Sequence, residues 1–114
     1  MRTAFTVWNT TAGPVLSPFF ARCQFVLIVD PPGAEQEWIR NFEGSSKLVC
    51  AWIIAARVGR VICGFVDEAA FAVLRAAGVD VRVGPCDVPV RDLVGVLDAL
   101  PLPTAAARHR DDPG

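Results

Sequence analysis

An almost unbroken apolar run, Phe25-Val26-Leu27-Ile28-Val29, constrains the fold of this chain more than any other feature. A run of this length, flanked by Gln24 and Asp30, is typical of a strand that is buried on both faces. Such a strand lies inside a sheet that other elements cover on each side. We therefore expect an α/β protein in which helices cover both faces of one sheet.

The pattern of apolar and turn-forming residues supplies the other strands of such a fold. We predict strands over residues 3–8, 24–30, 35–42, 60–64 and 79–84. The stretch Asn9 to Arg22 is predicted to be a long loop, and Pro31-Pro32-Gly33 a turn. Since right-handed crossovers make the last two strands parallel, the five strands form one mixed sheet.

Three helices are expected between and after these strands. They are predicted to begin at Ser45 or Ser46, at Asp67 and at Asp87, whose side chains would cap the first turn. Gly59 and Gly78 are expected at the positions that end the first two helices. In the last helix, the residues expected to face the core are Val90, Leu93, Val94 and Leu97.

Length and charge limit the classes of function. The chain has 114 residues, of which 53% are apolar, and a net charge of −1. We expect one domain over residues 1–100 and a flexible tail over 101–114. No basic block is present, so neither nucleic acid nor a membrane surface is an expected partner. The start of the chain reads as a strand rather than a signal peptide, which favours a cytoplasmic protein.

Catalysis is not supported by the residues available. The chain contains one histidine, His109, in the expected tail, so no Cys-His or Ser-His-Asp arrangement can form within the domain. The first strand, residues 3–8, carries no carboxylate that could help to gather metal ions for a nuclease. We therefore predict a protein that is not an enzyme.

Four stretches follow one another at characteristic spacing. They are Leu16–Arg22, which contains Ser17-Pro18-Phe19-Phe20, then Phe25–Asp30, Val61–Phe71 and Leu74–Gly84. Taken together, the four resemble the dinitrogenase iron–molybdenum cofactor-binding family, the domain of NifX-like proteins. The resemblance spans almost the whole predicted domain. The family histidine of the first stretch is Phe19 here, and the glycine two residues later is Ala21.

The resemblance implies both a fold and a function. The implied fold is a three-layer α/β/α arrangement with a ribonuclease H-like motif. The implied function is non-covalent binding or carriage of an iron–molybdenum-type or molybdenum–copper sulfide cluster. The implied partners are proteins of nitrogenase-type cofactor assembly, or other metallocluster proteins. The alternative, suggested by the absent loop histidine, is a metal-free interaction or regulatory module that keeps the family fold.

The expected site lies at the carboxyl ends of the parallel strands, where open α/β sheets bind ligands. The candidate cofactor-binding residues are Ser17, Phe19, Arg22, Gly64, Gly84 and Cys86, and the candidate metal-contacting thiols are Cys86, Cys63 and Cys23. Thiolates favour soft metals, and glycines permit close approach to the backbone. Several of these residues also have a structural interpretation: buried or free thiols, a solvated Arg22, and core packing of at least one of Phe19 and Phe20.

Overall fold

The computed structural model describes residues 2–30 and 35–103 of the chain. Its strands are β1 (Thr3–Thr10), β2 (Gly13–Leu16), β3 (Phe25–Asp30), β4 (Glu35–Arg40), β5 (Arg60–Cys63) and β6 (Asp80–Val83). Its helices are α1 (Ser46–Ala55), α2 (Glu68–Ala76) and α3 (Val90–Leu93), and a 3₁₀-helix follows over Val94–Ala99. The predicted turn at 31–33 and the tail from 104 onward, which includes His109, lie outside the described residues.

The strands form one mixed sheet in the order β4-β3-β1-β5-β6, and β2 pairs with β1 beside this path. β1 is antiparallel to β2 and β3 and parallel to β5, which is in turn parallel to β6. The α/β class, the parallel pair and the edge position of β4 are therefore confirmed. The described residues contribute six strands to the sheet, however, where the sequence predicted five.

The additional strand lies in the stretch that was predicted to be a loop. β1 continues to Thr10, and Thr10 pairs with Gly13 to open a hairpin into β2. Gly13 has φ of +109°, a backbone conformation that glycine adopts without strain. The Thr10 hydroxyl donates to the Gly13 carbonyl at 2.6 Å and accepts from Ala12 N at 3.2 Å. These local bonds form the turn, and they leave only the residues after Leu16 as a loop.

Apolar residues form two clusters, and alternate residues of β1 contribute to each. Ala4 belongs to one cluster, together with residues from α1 and α2 such as Ile53 and Leu74. Phe5 and Val7 belong to the other cluster, together with Val90 and Leu93 of α3. Since successive side chains of a strand point to opposite faces, the first five residues of β1 are buried on both sides, as the apolar run predicted for β3.

The first two helices begin as the sequence predicted. Ser45 caps α1, because its side chain accepts a hydrogen bond from Leu48 N at 3.3 Å. Asp67 caps α2 by accepting from Ala70 N at 2.8 Å. The second Asp67 oxygen accepts a hydrogen bond from the Ser46 hydroxyl. This carboxylate therefore joins the start of α2 to the start of α1.

The predicted end of α1 at Gly59 is wrong. α1 ends at Ala55, and the residue with a left-handed backbone is Arg57, with φ of 58°. Arg57 N donates to the Ile54 carbonyl at 3.0 Å and Val58 N to the Ile53 carbonyl at 3.4 Å, so the chain turns back early and buries Val58. The predicted end of α2 is confirmed, since Gly78 has φ of 82°.

The predicted cap of the last helix is also wrong. α3 begins after Pro89, which makes no side-chain cap, and Asp87 lies before a β-bridge between Val15 and Pro89. Cys86 and Asp87 form a turn, and the bridge holds Pro89 in an extended conformation, so helical geometry starts only at Val90. Helical geometry is then interrupted at Val96, where φ is −127°, and Val94 is 51% exposed instead of facing the core.

Among the described residues, the structure contains no helix with the length and hydropathy of a membrane-spanning segment.

Replacing Asp67 with alanine should lower the free energy of unfolding by about 1–2 kcal/mol, the usual cost of losing a helix cap. Asp67→Asn keeps a cap oxygen and should retain most of the stability. Urea denaturation followed by circular dichroism measures both effects. The control is Asp92→Ala, because Asp92 is exposed and caps no helix. An equal loss of stability in the control would contradict the capping role.

Candidate functional site

Three segments that are distant in the sequence meet at Gly64, directly after β5. Gly64 is buried, and a Cβ atom added to it would overlap the Sγ atom of Cys86 and lie 2.5 Å from the Ser17 carbonyl oxygen. The structure therefore brings Ser17, Gly64 and Cys86 into direct contact at the carboxyl ends of the parallel strands.

Strand pairing explains why these segments meet. β5 pairs with the first half of β1, through Thr3 to Phe5, and β2 pairs with the second half from Val7 onward. The residue after β2, Ser17, donates its backbone N–H to the Thr6 carbonyl at 2.8 Å, next to the end of β5. On the other side of β5, Gly84 N donates to the Cys63 carbonyl at 3.0 Å. Cys86 follows two residues later.

The loop that starts at Ser17 is held by its own hydrogen bonds. The Ser17 side chain, which is fully buried, donates to the Phe19 carbonyl at 2.8 Å and accepts from Phe19 N at 3.2 Å. Phe20 is buried in the cluster that contains residues of α1 and α2, whereas Phe19 is only partly buried. One phenylalanine of the pair is thus a core residue, and the other reaches the surface beside the site.

Arg22 and Gly84 have surroundings different from those of Cys86. Arg22 is exposed and lines a groove with Trp8 and Arg40, and Cys86 does not line that groove. At Gly84, an added Cβ would lie 2.9 Å from the Cδ1 atom of Leu16. Atoms of the chain itself therefore fill the space that Gly64 and Gly84 leave.

The four thiols differ in their access to solvent. Cys23, Cys50 and Cys63 are buried, with at most 4% exposure, and Cys86 is half-buried. Burial raises the pKa of Cys63, and the nearby Cys86, Cys23 and Cys50 thiols act in the same direction. Burial also raises the pKa of Cys86, with a further contribution from the Asp87 carboxylate. A metal that binds Cys63 or Cys86 would therefore have to displace a proton that the thiol holds more tightly than a free cysteine does.

Two acidic residues lie at the start of α2, Asp67 as its cap and Glu68 in its first turn, whereas Asp87 lies two residues before the cap position of α3. The Asp67 carboxylate caps α2, as its position in the sequence predicted. Within residues 2–30 and 35–103, no group of three or more His, Cys, Asp or Glu side chains is arranged to hold a metal ion.

Sequence reasoning missed two features next to the site. Phe65, directly after Gly64, is 37% exposed. Thr6, whose carbonyl anchors Ser17, is fully buried, and its hydroxyl has no hydrogen-bond partner among the described residues. A polar residue in a buried strand is the pattern that could have identified Thr6 beforehand.

The sequence matches the family model described as dinitrogenase iron-molybdenum cofactor over residues 1–99. The chain belongs to this family. The match covers almost the whole chain and confirms the resemblance seen in the four stretches. A search of curated proteins found no match.

Solved structures similar to this family member agree on the fold. The apo form of the orange protein from Desulfovibrio gigas is 25% identical, with a TM-score of 0.76, over 89% of this chain and 91% of that one. A Thermotoga protein named for NifB is 22% identical, with a TM-score of 0.75, over 97% of this chain and 98% of that one. The second likeness supports the fold alone.

Gly64→Ala should destabilise this family member by about 1–3 kcal/mol, because the new methyl group must displace both a side chain and backbone. The double variant Gly64→Ala/Cys86→Ala should recover only part of the loss, since the Ser17 carbonyl still blocks the methyl group. Chemical denaturation measures the three free energies. Gly95→Ala is the matched control, because its new Cβ would meet no atom within 4 Å apart from the neighbouring backbone of its own segment. A Gly64→Ala protein as stable as Gly95→Ala would show that the packing is wrong.

Stability should fall in alkaline solution because of Cys50. Burial, with a contribution from Asp67, raises the pKa of Cys50 from 9.0 to about 12. The folded state holds this proton more tightly than the unfolded state, so the stabilisation is complete below about pH 9 and is lost as the pH rises towards 12. Urea unfolding of reduced protein between pH 7 and pH 11 should therefore show a smaller decline for Cys50→Ala than for wild type. Parallel declines would rule out this contribution.

Proposed function

We propose that this protein binds and carries a metal–sulfur cluster or nitrogenase-type cofactor precursor, without catalysing a reaction. Membership of the dinitrogenase iron–molybdenum cofactor family supports a link to such a cofactor. The structural likeness to the apo form of the orange protein supports a small protein that exists with and without a bound group. The contact of Ser17, Gly64 and Cys86 at the carboxyl end of the sheet is the observation that carries the proposal.

The metal-binding group at this position, the Cys86 thiol, suits a metal–sulfur cluster that is already assembled when it reaches the protein. Cys86 is the half-buried thiol there, and the described residues lack a group of three or more metal-holding side chains. A single soft thiolate can anchor copper or iron, but it cannot assemble a cluster from free ions. We therefore assign the cluster to non-covalent contacts with the surface around Cys86, with the thiol as the one direct anchor.

Most of the other candidate residues have supporting roles in this proposal. Ser17 fixes the loop, Phe19 gives the site an apolar wall, and Gly64 and Gly84 let the three segments pack closely. Arg22 lines a groove that does not include Cys86, so we assign it no part in holding the cluster. Cys63 and Cys23 are buried, so a cluster would contact them only if the loop opened.

We extend the proposal to the fold, the cellular location and the partners of the protein. We place the site in a three-layer ribonuclease H-like domain over residues 1–100, acting in the cytoplasm. The proposed partners are proteins that assemble nitrogenase-type cofactors, or other metallocluster proteins. The cluster would be an iron–molybdenum-type or molybdenum–copper sulfide group, which supplies the metal and sulfide chemistry when bound.

A metal-free interaction module is the second candidate function. One observation favours it: Phe19 stands where the family that the sequence resembles has its loop histidine. The buried position of Phe20 weakens this candidate, because the Phe19-Phe20 pair does not form an exposed apolar surface. The two candidates differ in whether the folded protein retains a cluster.

Anaerobic titration with tetrathiomolybdate and copper(I), and separately with an iron–sulfur cluster precursor, tests the proposal. We expect one of these clusters to remain bound after gel filtration, with visible absorption and stoichiometric metal content. Cys86→Ser should reduce retention at least ten-fold, because it removes the accessible thiol.

The control variant is Cys50→Ala, since Cys50 lies in α1, away from the Ser17, Gly64 and Cys86 contact. It should retain the cluster as wild type does. Circular dichroism establishes that each variant is folded. If folded wild-type protein retains none of the clusters, the carrier function is wrong and the metal-free module is favoured.

A further inference from the structure

A polar groove lies at the end of the sheet where β1, β3 and β4 meet the loop that contains Arg22. Its volume is about 460 Å³, and its lining includes Trp8, Asn9, Arg22, Gln24, Arg40 and Asn41. We propose that this groove binds a small organic anion with at least two acidic groups, either phosphates or carboxylates. The inference goes beyond cluster binding, because neither Gly64 nor Cys86 lines the groove.

Positive charge dominates the lining. Arg22 and Arg40 both contribute to it, and none of the lining residues is acidic. The Arg40 guanidinium carbon lies 5.7 Å from the centre of the Phe25 ring and 5.1 Å from that of Phe42. Within the described residues Arg40 makes these ring contacts but no ion pair. Two guanidinium groups with fork geometry match the oxygens of phosphates and carboxylates.

The backbone segments that carry the two arginines are tied together by one side chain. The Asn41 side-chain Nδ2 donates to the Ala21 carbonyl at 2.8 Å and to the Cys23 carbonyl at 2.9 Å, on either side of Arg22. Asn41 itself follows Arg40, and its backbone N–H donates to the Gln24 carbonyl at 3.0 Å. The backbone positions from which the two arginines extend are therefore held together before a ligand arrives, which lowers the entropy cost of binding.

The remaining lining adds hydrogen-bond donors and an apolar wall. The Gln24 carboxamide oxygen accepts from Asn9 N at 2.8 Å, so its amino group is the end that remains for another partner. Trp8 is 37% exposed and presents its indole to the groove. A groove of this volume falls in the range of about 300–1,000 Å³ that small organic ligands occupy. It is larger than a single inorganic ion requires, and Trp8 favours a ligand with a carbon framework.

Titrations of the full-length ¹⁵N-labelled protein at low ionic strength test this proposal. The probes are ADP, citrate and inorganic phosphate, each added separately. We expect ADP or citrate to shift the Trp8 indole, Gln24 and Asn41 resonances. Arg40→Gln and Arg22→Gln should each weaken that binding at least ten-fold.

The matched control is Arg75→Gln. Arg75 also stacks on a phenylalanine, at 5.7 Å from the Phe71 ring centre, but it lies on α2 and does not line the groove. It should leave the affinity unchanged. The ¹H–¹⁵N spectrum of each variant shows whether it is folded, and two arginine variants provide an answer even if one fails to fold.

The set of probes that bind shows which acidic groups the groove recognises. Binding of ADP alone identifies a phosphate ligand, binding of citrate alone a carboxylate ligand, and binding of both a general polyanion site. No shifts with either probe, equal weakening by Arg75→Gln, or equal affinity for inorganic phosphate would overturn the proposal. Cys86→Ser should bind the anion as wild type does. A negative result in the anion titration would therefore leave the cluster proposal standing, and a negative cluster titration would leave the anion proposal standing.

Discussion

The backbone of β1 determines where every other part of the sheet lies. Along its length it pairs with three strands, β3 on one side and β5 followed by β2 on the other. The change of partner from β5 to β2 occurs within a few residues, and it places Ser17 directly past the end of β5. Since Thr3 to Val7 of β1 are buried on both faces, neither their side chains nor their hydrogen bonds can shift without disturbing both apolar clusters.

Much of this architecture could be predicted because the responsible patterns are local. The apolar run of β3, the Asp67 cap and Gly78 each act within a few residues, and the structure has them where the sequence indicated. The errors arose where tertiary contacts decided the outcome. β2 has only four residues and includes Pro14, so it gains its stability from pairing with β1. The bridge between Val15 and Pro89 likewise overrides the capping tendency of Asp87.

The candidate site was predictable in position but not in detail. The carboxyl-end rule for parallel strands brought the Ser17, Gly64 and Cys86 segments together without any knowledge of distances. Sequence patterns do not report which thiol is reachable, because burial depends on residues from other elements. They also assigned Arg22 to the neighbourhood of Cys86, whereas the structure places it in a separate groove with Arg40, a residue that no motif distinguished.

The two edges of the sheet are not equivalent. At β6, the Pro101 carbonyl accepts a hydrogen bond from Val83 N at 2.9 Å, and Arg82 reaches the Leu100 carbonyl at 3.0 Å, so the segment after the 3₁₀-helix protects that edge. Among the described strands β4 is the outermost on the other side. A fibre built by edge-to-edge pairing needs two open edges per molecule. With one edge closed among the described strands, such pairing would stop at two molecules.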